Sequence, residues 1–357
     1  MANFDLSALA IQAICPNNEI LFDDKGMPSI MVKIPKMTYA QLGLGASTAI
    51  HPAWIVNGQE VDAIYISKYQ NIVVNGRAYS LPGQDPAVSI SNDEARAACE
   101  AKGDGWHLIA RVEWAAIALW CKNNGFMPWG NNNYGKDSRE TNYVGIPSMG
   151  KYGDNCRIAT GTGPLKWSHD GTPSGIWDLN GNVWEWCGGM RTVYGELQVL
   201  INNNAADSDN SQGASSGEWK AINASDGTFV TPNGSGTTSG TIKLSWVSSH
   251  LEYDTTVANA GAHDCDFEAI TCSANIGADA KLLLQALALF KVDATPGAYE
   301  GDHVWFNSEE EERSFGCGGT WHDGVQGGVF ALYGHHPRSS RNWLIGFRSA
   351  YVKLPAA

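Results

Sequence analysis

The sequence has few basic residues and no long apolar run. Its 357 residues include 24 Lys and Arg against 37 Asp and Glu, which gives a formal net charge of −13. Because nucleic-acid phosphates and anionic lipids both attract clusters of Lys and Arg, this balance argues against either partner. The opening residues lack a basic stretch followed by an apolar core, so we expect no signal peptide, and no segment is apolar enough for membrane insertion.

Cysteine is also sparse. The spacing of Cys265 and Cys272, with His263 nearby, is a weak metal or disulfide signal, and we favour buried or unpaired thiols there. Eight cysteines over such a length are too few for a disulfide framework, so we expect most to be buried thiols: Cys15, Cys99, Cys121, Cys156, Cys187, Cys265, Cys272 and Cys317. Heptads and solenoid repeats are missing as well.

Glycine and tryptophan, in contrast, are abundant. The chain has 40 Gly and 14 Trp, with 43% hydrophobic residues. That composition is typical of a folded globular protein. Since glycine is unfavourable in long helices, the combination predicts an irregular, loop-rich fold held together by large aromatic side chains.

The chain order predicts strands and helices together. Residues 31–35 and 63–69 read as strands, and Asn75-Gly76 predicts a two-residue hairpin turn. A capping box at 91–94 begins a helix that ends near Gly103. Further helices are predicted over 111–121, with Ala110 as a weak cap, and over 279–291, the latter more deeply buried than the first.

Other stretches are less regular. Residues 126–178 predict a long structured loop, and 176–187 predicts a hairpin-like unit turning at Asn180-Gly181. Residues 195–201 alternate like a strand, whereas 202–240 read as exposed loop with short strands. The acidic run 309–312 is expected to be a solvated surface.

The segment 317–351 interleaves two kinds of residue. Glycines and short apolar runs form one kind, including a buried strand predicted over 328–332. The other kind mixes aromatic and polar side chains without a common charge or period, as binding surfaces of antibodies do. We call the second kind the contact residues: Thr320, His322, Asp323, Gln326, Tyr333, His335, His336, Ser340, Arg341, Asn342, Trp343 and Leu344.

Five motifs, in order, resemble the formylglycine-generating-enzyme (sulfatase-modifying factor) branch of the C-type lectin fold. They occupy residues 107–114, 129–131, 177–186, 318–321 and 346–348. The resemblance implies an α+β fold with irregular loops and insertions. It also implies structural roles for residues that we call the frame residues: Trp177, Trp184, Glu185, Trp186, Trp321, Gly346, Phe347 and Arg348.

The segment 318–346 further resembles the variable region of proteins diversified by retroelements, such as phage tropism determinants. That resemblance implies a lectin-type scaffold on which adenine-directed mutation changes chosen codons, chiefly those for Asn. Most contact residues are reached from an Asn codon through its first two positions. Gln326 and Trp343 are not, and those two are either fixed or derived from another template codon.

These patterns predict a ligand-binding protein rather than an enzyme. The expected partner is a protein or other macromolecule on a target surface, with multivalent display or homo-oligomerisation compensating for weak single contacts. Tyr333 and Trp343 are the expected hot spots, and the setting, a virion or a cell surface, is left open. Residues 1–28 are predicted as a lead-in, and 29–357 as one domain with an insertion over about 195–310.

Other chemistries are weighed against this reading. A divergent oxidase is the alternative, but cysteine-oxidising relatives use two cysteines where 318–346 has none. His322, His335 and His336 read as exposed contacts rather than metal ligands, so no metal and no cofactor is expected. Arg348 is predicted to form a buried ion pair with Glu185.

Overall fold

The structure is a computed structural model that describes residues 3–354. Four α-helices are present in that range: α1 (Asn3–Ile14), α2 (Asn92–Glu100), α3 (Arg111–Asn123) and α4 (Ala278–Ala286). The strands are β1 (Asn18–Phe22), β2 (Pro28–Pro35), β3 (Ile55–Val56), β4 (Gln59–Glu60), β5 (Ala63–Ser67), β6 (Ile72–Val74), β7 (Arg77–Tyr79), β8 (Trp106–Leu108), β9 (Pro147–Lys151), β10 (Asp154–Ile158), β11 (Trp184–Val193), β12 (Glu196–Val199), β13 (Lys220–Ile222), β14 (Phe229–Val230), β15 (Lys243–Val247), β16 (His250–Asp254), β17 (Ala262–Asp266), β18 (Thr271–Cys272), β19 (His303–Asn307), β20 (Arg313–Cys317), β21 (Leu332–His336), β22 (Ile345–Phe347) and β23 (Ser349–Val352).

One sheet joins distant parts of the chain. Its five strands follow the order β1-β2-β5-β23-β8, and all neighbours are antiparallel. We call residues 317–346, which carry the contact residues, the contact segment. The strand that follows it, β23, therefore lies between two strands from the first third of the sequence. This arrangement ties the region after residue 348 to the N-terminal half.

The larger sheet carries the segment of interest. Its main path runs β17-β19-β21-β20-β11-β12-β15-β16-β18, and β22 pairs with β11 in parallel. Glu185 in β11 is registered against Cys317 of β20 on one side and Gly346 of β22 on the other. Both ends of the contact segment are thus held by the same point of one strand.

The predicted helices α2 and α3 are present, and the reasons lie in their sequences. Ser91 caps α2 by accepting from the Glu94 amide, while the Glu94 carboxylate accepts from the Ser91 amide. At α3 the weak cap Ala110 is compensated because its amide donates to Glu113 at 2.9 Å. Nearly every residue of α3 is buried, so the helix belongs to the main core, with strands of both large sheets.

Several predictions about elements are wrong. The helix predicted over 279–291 ends at Ala286, because Ala288 takes a left-handed conformation with φ of 49°. It buries three residues against four in α2, so it is not the more deeply buried helix. Residues 1–28, predicted as a lead-in, contain α1 and β1, and β1 pairs along its length with β2.

Two predicted strand units near the site also differ. Residues 176–183 do not pair with the run that follows them, because β11 begins at Trp184 and pairs with β20, β22 and β12 instead. Residues 328–331 form a buried turn, and the strand starts only at Leu332. The hairpin at Asn75-Gly76 is present between β6 and β7, with positive φ at both turn residues.

Within residues 3–354, no helix combines the length and the apolar character that crossing a bilayer requires.

Candidate functional site

A buried ion pair lies beneath the contact segment. Arg348 donates to both carboxylate oxygens of Glu185, from Nε at 2.5 Å and from a terminal nitrogen at 2.6 Å, and both side chains are fully buried. The other terminal nitrogen of Arg348 donates to the Ser67 carbonyl at 3.0 Å, and Gln70 donates to Glu185 at 3.1 Å. Every charged group here has partners, which is what a buried pair needs to be tolerated.

Close backbone approach fixes the two ends of the segment. A Cβ at Gly346 would lie 2.5 Å from the Ala87 carbonyl oxygen, and one at Gly319 would lie 2.7 Å from the Gly327 Cα. Gly319 also has a φ of 95°, a backbone conformation that residues other than glycine rarely adopt. Trp114 of α3 reaches the intervening turn and donates from its indole nitrogen to the Val329 carbonyl at 2.8 Å.

Six contact residues meet at one concave surface, which we call the aromatic cleft. The cleft has a volume of about 190 Å³. It is lined by Trp184, Trp305, His322, Asp323, Tyr333, His336, Asn342, Leu344 and Ile345.

Three large rings form the floor of the aromatic cleft. Trp184 packs edge-on against Trp305 with centroids 5.6 Å apart, and Tyr333 lies 5.5 Å from Trp184 and 6.0 Å from Trp305. The register explains their meeting, because Trp305 of β19 is paired with Tyr333 of β21. Rings in mutual contact lose little freedom on binding, which makes them effective anchors for a ligand.

A second aromatic group lies beside the cleft. The Trp321 ring is buried, with 3% exposure, and contacts Trp343 at 5.5 Å, Tyr134 at 5.3 Å and His322 at 4.7 Å. Trp343 is 47% exposed. The structure therefore gives Trp321 a place in the interior and leaves Trp343 open to solvent.

Thr320 does not lie where a contact residue should. Its side chain is fully buried, its hydroxyl is hydrogen-bonded to His322 Nδ1, and its amide donates to Asp323 at 2.8 Å. The prediction of Thr320 as a contact residue is wrong, because its polar groups close the local turn instead.

Five other contact residues lie outside the aromatic cleft. His335 is turned toward β19, with Nε2 2.9 Å from the Phe306 carbonyl oxygen. Arg341 is exposed and paired with Glu94 of α2 at 2.6 Å. Gln326, Ser340 and Trp343 are the remaining three; Gln326 and Trp343 are exposed and Ser340 is half-buried.

Burial shifts the pKa values of three groups in the cleft and of His335 beside it. It lowers the pKa of His336 and of His335, which favours their neutral forms. Burial also raises the pKa of the Asp323 carboxyl and of the Tyr333 phenol. The surface of the cleft is therefore aromatic and polar, and burial favours the neutral forms of His336, Asp323 and Tyr333.

Two of the three rings that form the floor of the cleft were not predicted as cleft residues. Trp184 was assigned to the frame alone, yet one side of its ring lines the cleft; Trp305 was not assigned at all. Alternation along β11 gives a usable signal for Trp184, since its neighbour Glu185 points to the interior. Nothing in the sequence shows that β19 lies next to β21, so Trp305 could not be predicted as a cleft residue.

A thiol pair lies on the interior side of β11. The Sγ atoms of Cys187 and Cys317 are 3.0 Å apart, and Arg111 donates to Cys317 Sγ at 3.2 Å. All three residues are buried. Arg111 has no carboxylate partner among the described residues; its other donors bind the carbonyls of Leu287 and Ala288.

The structure also places the cysteines and the potential metal ligands. All eight cysteines are free thiols, and seven of them are buried. Over residues 3–354, no group of three or more His, Cys, Asp and Glu side chains is arranged to hold a metal ion. Cys265 donates no bond to Cys272, and instead its sulfur accepts from the Leu251 amide.

Comparison with known families gives one match. Residues 57–236 match the model of the sulfatase-modifying factor enzyme 1-like domain. That range is 180 of 357 residues, just over half of the chain, and it ends before the contact segment. No curated protein matches the chain.

Several solved structures resemble this chain weakly. PvdO from Pseudomonas aeruginosa is 13% identical, with 94% of this chain and 98% of that chain covered and a TM-score of 0.35. Treponema denticola variable protein 1 is 11% identical, with 94% of this chain and 98% of that chain covered and a TM-score of 0.31. The Major Tropism Determinant U1 variant is 11% identical, with 94% of this chain and 71% of that chain covered and a TM-score of 0.31. Scores this low carry no argument about what this chain does.

Proposed function

The chain belongs to the sulfatase-modifying factor enzyme 1-like domain family, and from that premise we propose that it is a ligand-binding protein whose contact segment forms the binding surface. The observation that carries the proposal is the separation of the segment's ends from its middle. The ends at Cys317 and Gly346 are registered against Glu185, whereas the middle supplies the aromatic cleft.

The proposed ligand is a macromolecule on a target surface. The aromatic cleft is shallow and mixed in chemistry, with rings below and His, Asp and Asn groups around them, which suits a protruding group better than a fully enclosed substrate. One such patch supplies about half of a standard interface of roughly 1,600 Å². Multivalent display would then raise the affinity of many weak contacts.

We further propose that the segment is diversified by a retroelement. In this proposal residues 195–310 are an insertion that also supplies Trp305, a wall that would stay constant while its neighbours vary. Support comes from the codon relation among the contact residues and from the position of the cleft residues on a firmly held backbone. The genomic test is a near-copy of the segment encoding 318–350 that differs at adenines and lies beside a reverse transcriptase gene.

The direct test needs no knowledge of the ligand. Three libraries of the full chain, displayed on yeast, would randomise five residues each. The first changes His322, Tyr333, His336, Asn342 and Leu344 of the cleft. The second changes frame residues, namely Trp186, Trp321, Gly346, Phe347 and Arg348. The third changes exposed residues elsewhere, namely Val74, Tyr143, Ile146, Tyr152 and Leu165.

We expect the first and third libraries to keep protease-resistant display and the second to lose it. We also expect selection against hen lysozyme to enrich binders from the first library well beyond the third. Loss of protease resistance in the first library, or equal enrichment from the first and third, would contradict the proposal.

The alternative is an enzyme, specifically a divergent oxidase. The family description favours it, and the Cys187–Cys317 pair supplies two neighbouring sulfurs. Both sulfurs are shut off from solvent, however, with Cys317 fully buried and Cys187 only 1% exposed. A turnover assay with a thiol peptide and copper or iron would establish the alternative if product formed and Cys317→Ser abolished it.

A further inference from the structure

A second cleft lies where α3, β2 and the segment 168–170 meet, and we call it the α3 cleft. It has a volume of about 210 Å³. Its apolar walls include Ile34, Met37, Ile117 and Trp120, its polar wall is formed by His169 and Asp170, and Asn17 and Lys33 also line it. None of these residues belongs to the contact segment or to the aromatic cleft.

His169 is held in a single orientation. Its Nδ1 accepts from the Ile176 amide at 2.8 Å, its own amide donates to the Ile176 carbonyl at 2.8 Å, and its ring centroid lies 5.1 Å from that of Trp120. Because Nδ1 is an acceptor, the proton of the neutral ring is on Nε2. The side chain is 6% exposed, and no atom of the described residues accepts a hydrogen bond from Nε2.

Asp170 offers the complementary group. Its Oδ1 accepts from the amide and the hydroxyl of Thr172, each at 2.9 Å, which fixes the carboxylate. Its Oδ2 receives no hydrogen bond from the described residues. The polar wall of the α3 cleft therefore presents one fixed N–H donor from His169 beside one open carboxylate acceptor from Asp170.

Charge limits the ligands that fit. Burial lowers the pKa of His169 to about 4, so the ring is neutral at pH 7. The Asp170 carboxylate repels an anionic ligand, and the Lys33 ammonium, which also lines the cleft, repels a cationic one. An uncharged group with adjacent acceptor and donor atoms satisfies both residues, and burying polar groups is favourable only when they are satisfied.

We propose that the α3 cleft binds a small, planar, uncharged carboxamide. The amide carbonyl accepts from His169 Nε2, the amide N–H donates to Asp170 Oδ2, and an aromatic body packs between Trp120 and the aliphatic walls. A cleft of this size takes a single ring with its amide group rather than a peptide segment. The proposal does not depend on the proposed function of the contact segment.

The test compares benzamide with benzoate as probes, using ligand-observed NMR titration of the full chain at pH 7. We expect saturable benzamide binding and weaker benzoate binding. Met37→Trp fills the half-buried edge of the cleft and should abolish the benzamide signal, while Val74→Trp, on an exposed strand elsewhere, should leave it unchanged. His169→Asn keeps an acceptor for the Ile176 amide and should weaken benzamide roughly fivefold.

A substitution at Asp170 gives the sharpest readout. Asp170→Asn keeps Oδ1 for Thr172 but replaces the open acceptor with a donor, so the preference should change from benzamide to benzoate. The proposal is overturned by absence of saturable benzamide binding, by benzamide binding that survives Met37→Trp, or by a benzamide-to-benzoate ratio that Asp170→Asn does not change.

Discussion

Two neighbouring residues of β11 serve opposite purposes. Glu185 points to the interior, where it is fully buried and bonded to Arg348 and Gln70. Trp184 points the other way, and one side of its ring forms the floor of the aromatic cleft. Since successive side chains of a strand face opposite sides, one strand both supports the contact segment and contributes to the surface that the segment presents.

The two sides of β11 should respond differently to substitution. Glu185 and Arg348 on the interior side are matched to each other and to Gln70 and Ser67, so removing one leaves another unsatisfied. Side chains on the cleft side have few partners within the chain, and their loss costs only local packing. We therefore expect the stability of the protein and its binding to depend on different residues, even where those residues are adjacent.

Arg348→Ala should have the largest effect on the free energy of unfolding. It leaves Glu185 as a buried charge without its partner, which typically costs about 3–5 kcal/mol of the free energy of unfolding. Chemical denaturation followed by tryptophan fluorescence measures the loss. Arg341→Ala, which removes the exposed pair with Glu94, is the matched control and should leave the midpoint unchanged. An unaltered midpoint for Arg348→Ala would show that the buried pair does not support the fold.

Cys317→Ala should come next. Burial alone would raise the pKa of Cys317, but the hydrogen bond from Cys187 and the Arg111 guanidinium lower it below its ordinary value. The Cys317 sulfur thus accepts from Arg111, which has no carboxylate partner among the described residues. Its removal should cost about 2–3 kcal/mol, the penalty of an unsatisfied buried charged group plus a small cavity.

Cys272→Ala is the matched control for that experiment, because Cys272 is only half-buried and has no charged partner. Denaturation midpoints should place Cys317→Ala well below Cys272→Ala. Equal midpoints for the two variants would mean that Arg111 does not need the Cys317 sulfur.

A pH dependence should arise from Asp302, whose carboxylate accepts from the Phe330 amide at 2.7 Å in the turn that precedes β21. Burial raises the pKa of Asp302 to about 8. Between pH 4 and 8 the folded protein keeps a proton that the unfolded chain releases, so this group lowers the free energy of unfolding as pH rises. The slope is at most about 1.4 kcal/mol per pH unit.

Asp302→Asn isolates that contribution, because the amide oxygen still accepts from Phe330 but no longer titrates. The free energy of unfolding of the variant, relative to the unmodified protein, should increase from pH 5 to pH 8. Relative values are needed because Lys102, whose pKa burial lowers to about 7, contributes in the opposite direction above pH 7. A constant difference across that range would refute the prediction.

Trp343→Ala should have the smallest effect. The side chain is 47% exposed, and exposed substitutions usually change the free energy of unfolding by no more than about 0.5 kcal/mol. Tyr333→Ala should cost somewhat more, since its ring packs on Trp184. Once a ligand is known, both should weaken binding by at least about 2 kcal/mol, a ranking opposite to that of Arg348.

Much of the fold could be predicted from local signals. The capping box at Ser91, the hairpin at Asn75-Gly76 and the apolar face of α3 depend on residues close in sequence, and all three are present. The α+β class and the family were predicted from motifs, and the family match bears them out. The Glu185–Arg348 pair was predicted because a carboxylate between two tryptophans needs a partner, either a backbone donor or an arginine.

The rest depends on contacts between distant residues. Local sequence patterns do not predict that Cys187 contacts Cys317 or that Trp305 contacts Tyr333. Both contacts depend on the order of strands in a mixed sheet, and the sequence of a single strand does not determine that order. Apolar runs were also ambiguous: residues 328–331 are as buried as a strand but form a turn whose amide at Phe330 is satisfied by Asp302. The sequence could predict that the contact segment is exposed to solvent in general. Thr320 shows that a polar residue in this segment can instead be buried and hold the local turn in place.

The position of β23 has a consequence for how the molecule is made. This strand is translated after the contact segment, yet it fills the gap between β5 and β8 in the five-stranded sheet. Ribosomes that stop at a nonsense codon within 320–344 would release chains with that gap open, and such chains would expose apolar strand edges to cellular proteases. A premature stop codon in the contact segment should thus remove the whole polypeptide, rather than leave a folded product with an altered surface.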